Sequence, residues 1–99
     1  MKYDVSVLVP VYNVSKFIER CLHTLFGQTY TNIQYIFVDD CSPDNSVEII
    51  KQVLKEYPQR KADVKIVRHD KNRGLAAARN TGIENAEGEF ILQIDSDVY

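Results

Sequence analysis

Two acidic pairs and an Arg-Asn pair carry most of the chemistry available to this chain. Asp95-Ser96-Asp97 ends an apolar run, Phe90-Ile91-Leu92-Gln93-Ile94. An Asp-x-Asp at the carboxyl end of a buried strand can hold a divalent cation against a diphosphate. Hard cations take carboxylate oxygens and complete their shell with water and phosphate. Asp39 and Asp40 close a second apolar run. A carboxylate there can accept hydrogen bonds from a nucleobase ring N–H or from ribose hydroxyls. Asp40 is expected to point the other way and bind the turn that follows. Each pair, taken alone, is also what a polar turn looks like, since Asp and Ser are common turn formers.

Two further segments flank these acids. Pro10-Val11-Tyr12-Asn13 follows the first apolar run, where Tyr12 can stack on or flank a base while backbone groups near Val11 bond it. A partly exposed loop aromatic is the plain alternative. His69-Asp70-Lys71-Asn72-Arg73-Gly74 leads into Leu75-Ala76-Ala77-Ala78-Arg79-Asn80. Asn72 suits a helix cap, and Gly74 permits close approach of a ligand or backbone. The alanines leave room for a flat group, and Arg79 offers a planar fork suited to phosphate. Asn80 stands beside it; a solvated arginine on a helix face is the alternative. No G-x-G-x-x-G turn or G-x-x-x-x-G-K-[ST] loop occurs, which argues against nicotinamide, flavin and P-loop sites. His23 and His69 have no zinc or nucleophile pattern and are assigned to surface or packing.

These residues need a scaffold that gathers strand ends. Four apolar runs alternate with three helical patterns, the signature of a parallel α/β sheet. The runs are Val5–Val9 closed by Pro10, Ile33–Val38 closed by Asp39-Asp40, Val64–Val67, and Phe90–Ile94. The first helical stripe is Phe17, Ile18, Cys21, Leu22 and Leu25, with Ser15 placed to cap it and Gly27 to stop it. The second opens on Asn45 and Glu48 in capping-box spacing and shows Val47, Ile50, Val53, Leu54 and Tyr57 before Pro58. The third runs from Gly74 to Ala86 and offers Leu75, Ala76, Ala78 and Ile83 for packing. Gly82 costs that helix about 1 kcal/mol relative to Ala, which close approach to the sheet would offset. Right-handed crossovers allow the strand order 3-2-1-4 with the third helix on the opposite face. Ligands then bind beyond the strand ends where the order reverses. The flat order 1-2-3-4 is the alternative.

Composition fits one domain: 99 residues, 44% hydrophobic, 26% charged, net charge −2. Lys and Arg are scattered, so a nucleic-acid partner is disfavoured. Cys21 and Cys41 read as small hydrophobes rather than a disulfide or metal pair. No signal peptide and no run near the ~20 apolar residues of a membrane span is present. The expected location is cytoplasmic, which leaves room for a full-length protein held peripherally at the cytoplasmic face of the membrane.

Taken together, the motifs resemble the nucleotide-sugar-binding half of a family 2 glycosyltransferase with the GT-A fold. The matching stretches are Val5–Asn13, Gln28-Thr29-Tyr30, Phe37–Ser42 with Asp44 and Ser46, Asn72-Arg73-Gly74 with Ala78–Ile83, and Asp95-Ser96-Asp97. The resemblance covers essentially the whole chain. It implies a Rossmann-like three-layer α/β/α domain with a mostly parallel sheet in the order 3-2-1-4. It implies a donor site, most often for a UDP-sugar. Pro10, Val11, Tyr12, Asn13 and Asp39 would hold the base, while Asn72, Gly74, Arg79 and Asn80 line the nucleotide pocket. Asp95 and Ser96 would face the ribose or sugar, and Asp95 and Asp97 a Mn²⁺ or Mg²⁺ ion. The transfer to a glycan acceptor would invert the anomeric centre. Two departures are Val98, where the family often has another Asp, and Cys41, where a small residue or Gly is common.

The family's general base and acceptor half fall past Tyr99, so no catalytic base is expected within this stretch. The chain is therefore expected to be the N-terminal part of a longer transferase. Its last strand would keep an uncovered edge that favours self-association. Three other readings stay open: a stand-alone nucleotide-binding module, a phosphoacceptor signalling domain, and a structural α/β domain. The second wants its acid pair after strand one, where this chain has Pro-Val-Tyr-Asn.

Overall fold

The computed structural model describes residues 2–94. Its strands are β1 (Tyr3–Val11), β2 (Ile33–Asp39), β3 (Val64–Arg68) and β4 (Gly88–Gln93). All pair in parallel, in the order β3-β2-β1-β4. Parallel neighbours need long crossovers, which α1 (Ile18–Phe26), α2 (Ser46–Leu54) and α3 (Leu75–Asn85) supply. The chain moves outward from β1 to β3, then returns across β1 to lay down β4. This is the reversed order, and the flat alternative is excluded.

Strand alternation sorts the side chains into two faces. Val7, Val9 and Val11 join Tyr35 and Phe37 of β2, Leu22 and Phe26 of α1, and Ile50 of α2 in the main core. Leu8 points the other way, to Ile36, Val38 and Ala78. Thus α1 and α2 cover one face and α3 the other, giving three layers. The α1/α2 side carries most of the apolar burial, at about 1.5–3 kcal/mol for each fully buried large side chain.

The third helix packs differently from expectation. Ala78 and Gly82 are its buried residues, whereas Leu75 and Ile83 are 50% and 45% exposed and Ala76 is also exposed. The helix lies with its smallest residues against the sheet, and the larger ones fall on its flanks. A Cβ at Gly82 would stand 3.1 Å from Leu8 Cδ1, so close approach is the reason for this glycine.

Strand ends also differ from the sequence reading. β1 runs through Pro10 to Val11 rather than closing at Pro10. Leu8 turns its carbonyl to β4, where it accepts the Ile94 N–H at 3.0 Å. Pro10 has the same parity, and among the described residues the β1–β4 pairing ends at Leu8↔Gln93, so within them no ladder bond is lost at its missing N–H. Where β4 begins, the buried Ser6 hydroxyl donates to Gln34 Oε1 at 2.7 Å and accepts the Gly88 N–H at 2.8 Å.

Pro58 does not end α2, which stops at Leu54 and leaves Tyr57 outside it; Pro58 instead opens a 3₁₀ helix, Pro58–Asp63, that carries the buried Arg60. Arg60 Nε donates to the Phe26 carbonyl at 3.2 Å, Nη1 to Tyr30 at 3.0 Å and Nη2 to Gln28. One guanidinium thus satisfies carbonyls left open at the end of α1. Among the described residues no helix is long and apolar enough to cross a membrane.

Candidate functional site

The carboxyl ends of β1, β2 and β3 meet at one end of the sheet. Val11 pairs with Asp39, and Asp39 with Arg68. The Val11 side chain is buried in the core, so it can offer a ligand only backbone, and its carbonyl already accepts the Asp40 N–H at 3.0 Å. The chain then turns outward. Tyr12 is 47% exposed, and Asn13 takes a left-handed φ of 55°. The Asn13 N–H donates to Ser42 Oγ at 2.8 Å, which ties this loop to the one after β2.

Asp39 and Asp40 are both buried and face opposite sides of the sheet. Asp39 Oδ1 accepts the Ser42 N–H at 2.9 Å, so Asp39, not Asp40, binds the following turn. The reason is Cys41: its φ of 59° folds the chain back over Asp39. Asp39 Oδ2 is buried and has no hydrogen bond. Arg68 Nε lies 3.1 Å from it but is not aligned to donate, and the Arg68 side chain is 61% exposed. A buried carboxylate oxygen left in this state costs stability.

Asp40 is fully engaged. Its Oδ1 accepts His69 Nδ1–H and the Arg73 N–H, and its Oδ2 accepts the Gly74 N–H, each at 2.8 Å. Burial pushes the Asp40 carboxyl up, but these hydrogen bonds together outweigh it and hold it below its ordinary value. His69 is itself buried, with Nε2 2.8 Å from Thr81 Oγ1. With Nδ1–H given to Asp40, a neutral ring leaves Nε2 to accept the Thr81 hydroxyl. His69 thus belongs to a polar network, more than the surface or packing role expected of it. His23 does match that role, contacting the Tyr57 hydroxyl at 2.9 Å on the surface of the helical layer.

The expected helix caps fail in a consistent way. Ser15, Asn45 and Asn72 make no cap bond; the N-caps are Phe17, Asn45 and Gly74, none making a side-chain cap bond. Asp44 instead accepts the Ser46 N–H at 3.2 Å, the Ser46 hydroxyl at 2.6 Å, the Ser15 N–H at 3.0 Å and the Ser42 hydroxyl. Burial works against its ionisation, yet these donors hold it well below the usual carboxylate range. Asp40 serves the start of α3 in the same manner, from another strand.

Gly74 has φ of 95°, and an added Cβ would meet no protein atom within 4 Å. It is glycine for its backbone conformation, rather than for crowding by neighbouring backbone. Asn72 is exposed in the loop, and Arg79 and Asn80 are exposed on the second turn of α3. Pro10, Tyr12, Asn13 and Asp39 are therefore drawn together by strand pairing, and Asn72 and Gly74 by Asp40. Asp95, Ser96 and Asp97 lie outside the described residues. Among the described residues no group of three or more His, Cys, Asp or Glu gathers to hold a metal.

The pattern of Glycosyl transferase family 2 matches residues 6–99. EpsJ, an uncharacterized glycosyltransferase of Bacillus subtilis (strain 168), is 44% identical over 95 residues, covering 96% of this chain and 26% of that protein. S. aureus TarS 1-349, solved in complex with UDP-GlcNAc, has a TM-score of 0.84 at 34% identity, over 95% of this chain and 26% of the other. The mannosyltransferase PcManGT from Pyrobaculum calidifontis, in complex with GDP-Man and Mn²⁺, has a TM-score of 0.88 at 28% identity, over 98% and 28%. The chain spans about a quarter of the length of these proteins. The order of its strands agrees with what its motifs imply, and by the match along nearly its whole length the chain belongs to glycosyl transferase family 2.

Proposed function

We propose that this chain forms the donor half of a glycosyltransferase: a site for a nucleoside-diphosphate sugar, with uridine as the base. The full-length enzyme would pass the sugar to a hydroxyl of a glycan. The observation that carries the reading is Asp39 Oδ2, a buried acceptor without a hydrogen bond at the end of β2, close in register to the exposed Tyr12. Such an oxygen wants a ring N–H. Uracil N3–H and guanine N1–H can supply one, whereas cytosine N3 is itself an acceptor and would meet the carboxylate unfavourably. Uridine is favoured over guanosine because TarS, the 34% identical relative, is the one solved with UDP-GlcNAc.

Each residue then has a task. Tyr12 flanks the base, with Pro10, Val11 and Asn13 shaping the loop around it. Asn72 and Gly74 border the nucleotide, and Arg79 and Asn80 extend the polar wall along α3. Asp95 and Ser96 face the ribose and sugar. Asp95 and Asp97 form the pair of oxygen donors that Mg²⁺ or Mn²⁺ favours. Held by these two carboxylates, such a cation would supply positive charge to offset that of the departing diphosphate. PcManGT, solved with GDP-Man and Mn²⁺, supports a divalent ion. Displacement at the anomeric carbon would be direct and inverting, the base coming from the part of the enzyme outside these 99 residues. The location would be cytoplasmic, where nucleotide sugars and a peripheral membrane acceptor can meet.

Titration with UDP, GDP and CDP, with and without Mn²⁺, tests this. UDP should bind best and more tightly with Mn²⁺, and CDP worst. Asp39→Asn keeps an oxygen for Ser42 but presents an NH₂ to the base, so UDP affinity should fall about tenfold or more. Asp97→Ala should remove the Mn²⁺ enhancement. Equal binding of UDP and CDP that is indifferent to Asp39→Asn would contradict the reading.

A further inference from the structure

Asp40 accepts three hydrogen bonds from the loop between β3 and α3. The His69 imidazole and the Arg73 and Gly74 amides all converge on its carboxylate at 2.8 Å. A second bond from the same ring, His69 Nε2 to Thr81 Oγ1 at 2.8 Å, reaches two turns into α3, one residue past Asn80. The His69 N–H donates to the Asp39 carbonyl at 2.8 Å. The loop 69–74 and the helix after it are therefore clamped at two heights to the end of β2. That is where Asp39 Oδ2 sits, 3.1 Å from Arg68 Nε but without a hydrogen bond.

A helix cap alone does not require this arrangement. The Arg73 and Gly74 amides precede Leu75, the first residue of α3, so they are not the amides that a Ser, Asp or Asn cap would satisfy. Here the acceptor is a buried carboxylate from another strand, and burying it is costly unless donors fill it. The benefit of that arrangement is geometric. Asp39 and Asp40 are consecutive, so whatever Asp40 holds is fixed relative to Asp39. The bond to Thr81 fixes in addition the rotation of α3 about its axis, and with it the side of the helix on which Arg79 and Asn80 stand.

We propose that Asp40 and His69 are positioning residues for the donor: they set the 69–74 loop and α3 against Asp39 at the spacing that a nucleoside diphosphate requires. This rests on the donor reading above. Neither residue touches the nucleotide; both act through Asn72, Gly74, Arg79 and Asn80.

The test pairs amide hydrogen exchange with UDP titration on the whole chain, for the parent and for His69→Phe, His69→Asn and Thr81→Val. His69→Phe keeps a flat ring but loses both bonds. Exchange at Arg73 and Gly74 should speed up about tenfold or more relative to core amides such as Val9, and UDP affinity should fall about tenfold, as for loss of one charge-assisted hydrogen bond. His69→Asn places an amide N–H near the former Nδ1 and should recover most of both. Thr81→Val should leave exchange at Arg73 and Gly74 unchanged and weaken UDP by about threefold. His69→Gln replaces His69→Phe in the comparison if the latter does not fold. UDP affinity within twofold of the parent for folded His69→Phe, or no recovery in His69→Asn, overturns the positioning role while the donor reading stands. Absence of nucleotide binding by the parent overturns both, and the exchange data then still report whether the clamp exists.

Discussion

Two adjacent aspartates do different work because a strand presents successive side chains to opposite faces. The sequence made them visible as a pair and placed Asp39 toward a base. It could not show that Asp39 would keep one oxygen without a hydrogen bond while Asp40 saturated itself, because Asp40's donors come from residues about thirty positions away. His69 was passed over for the same reason: its partners, Asp40 and Thr81, lie on other elements. Cys41 was noticed as standing where glycine is common, and its φ of 59° is the physical reason. A non-glycine residue in that region costs roughly 1–2 kcal/mol, partly offset in a glycine by chain entropy. Cys41→Gly should thus stabilise the chain by about 0.5–1 kcal/mol in urea unfolding. A lower midpoint would mean that the Sγ contact to the Asp70 carbonyl, 3.7 Å long, outweighs the strain.

At the level of elements, the apolar periodicities located the four strands and the three α-helices, although β4 is exposed beyond Gly88. The starts of the helices were the weak point. Ser15, Asn45 and Asn72 are good local caps, yet none makes a cap bond; Asp44 and Asp40 instead bind the loops that lead into the helices, and the 3₁₀ helix holding Arg60 left only Pro58 as a sign. Asp44 shows what this substitution costs and gains. It joins the loops before α1 and α2 through four donors that favour its ionised form. Its folded-state ionisation lies well below the ordinary 3.8, so its contribution is present above that pH and is lost as the pH falls through the folded value. Asp40 adds to the same window. Thermal unfolding followed from pH 7 downward should therefore show stability falling below about pH 4. Asp44→Asn should be less stable at pH 7 and show a shallower decline. An unchanged pH profile in Asp44→Asn would rule out this assignment.

Across the whole molecule, right-handed crossovers and the motifs together anticipated the reversed strand order. They also anticipated the uncovered edge at β4. Phe90, Ile91 and Leu92 are 66%, 45% and 51% exposed on an edge strand. Leu92 borders an apolar groove of about 300 Å³ with Val5, Val7, Leu25 and Tyr30. Uncovered apolar edges pair with other chains. The 99-residue chain should therefore run in light scattering above its 11.4 kDa monomer mass at tens of micromolar, and Phe90→Lys with Leu92→Lys should return it to monomer. A monomeric parent would show that this edge is harmless.

The account as a whole depends on distant segments converging on one nucleotide, and chemical-shift mapping of the backbone amides during UDP titration with diamagnetic Mg²⁺ tests that most directly. The expected result is one perturbed cluster comprising residues 11–13, 39–42, 72–80 and 95–97. Shifts confined instead to the lysine-lined groove of Lys51, Lys55 and Lys61, or none at saturating UDP, would contradict it.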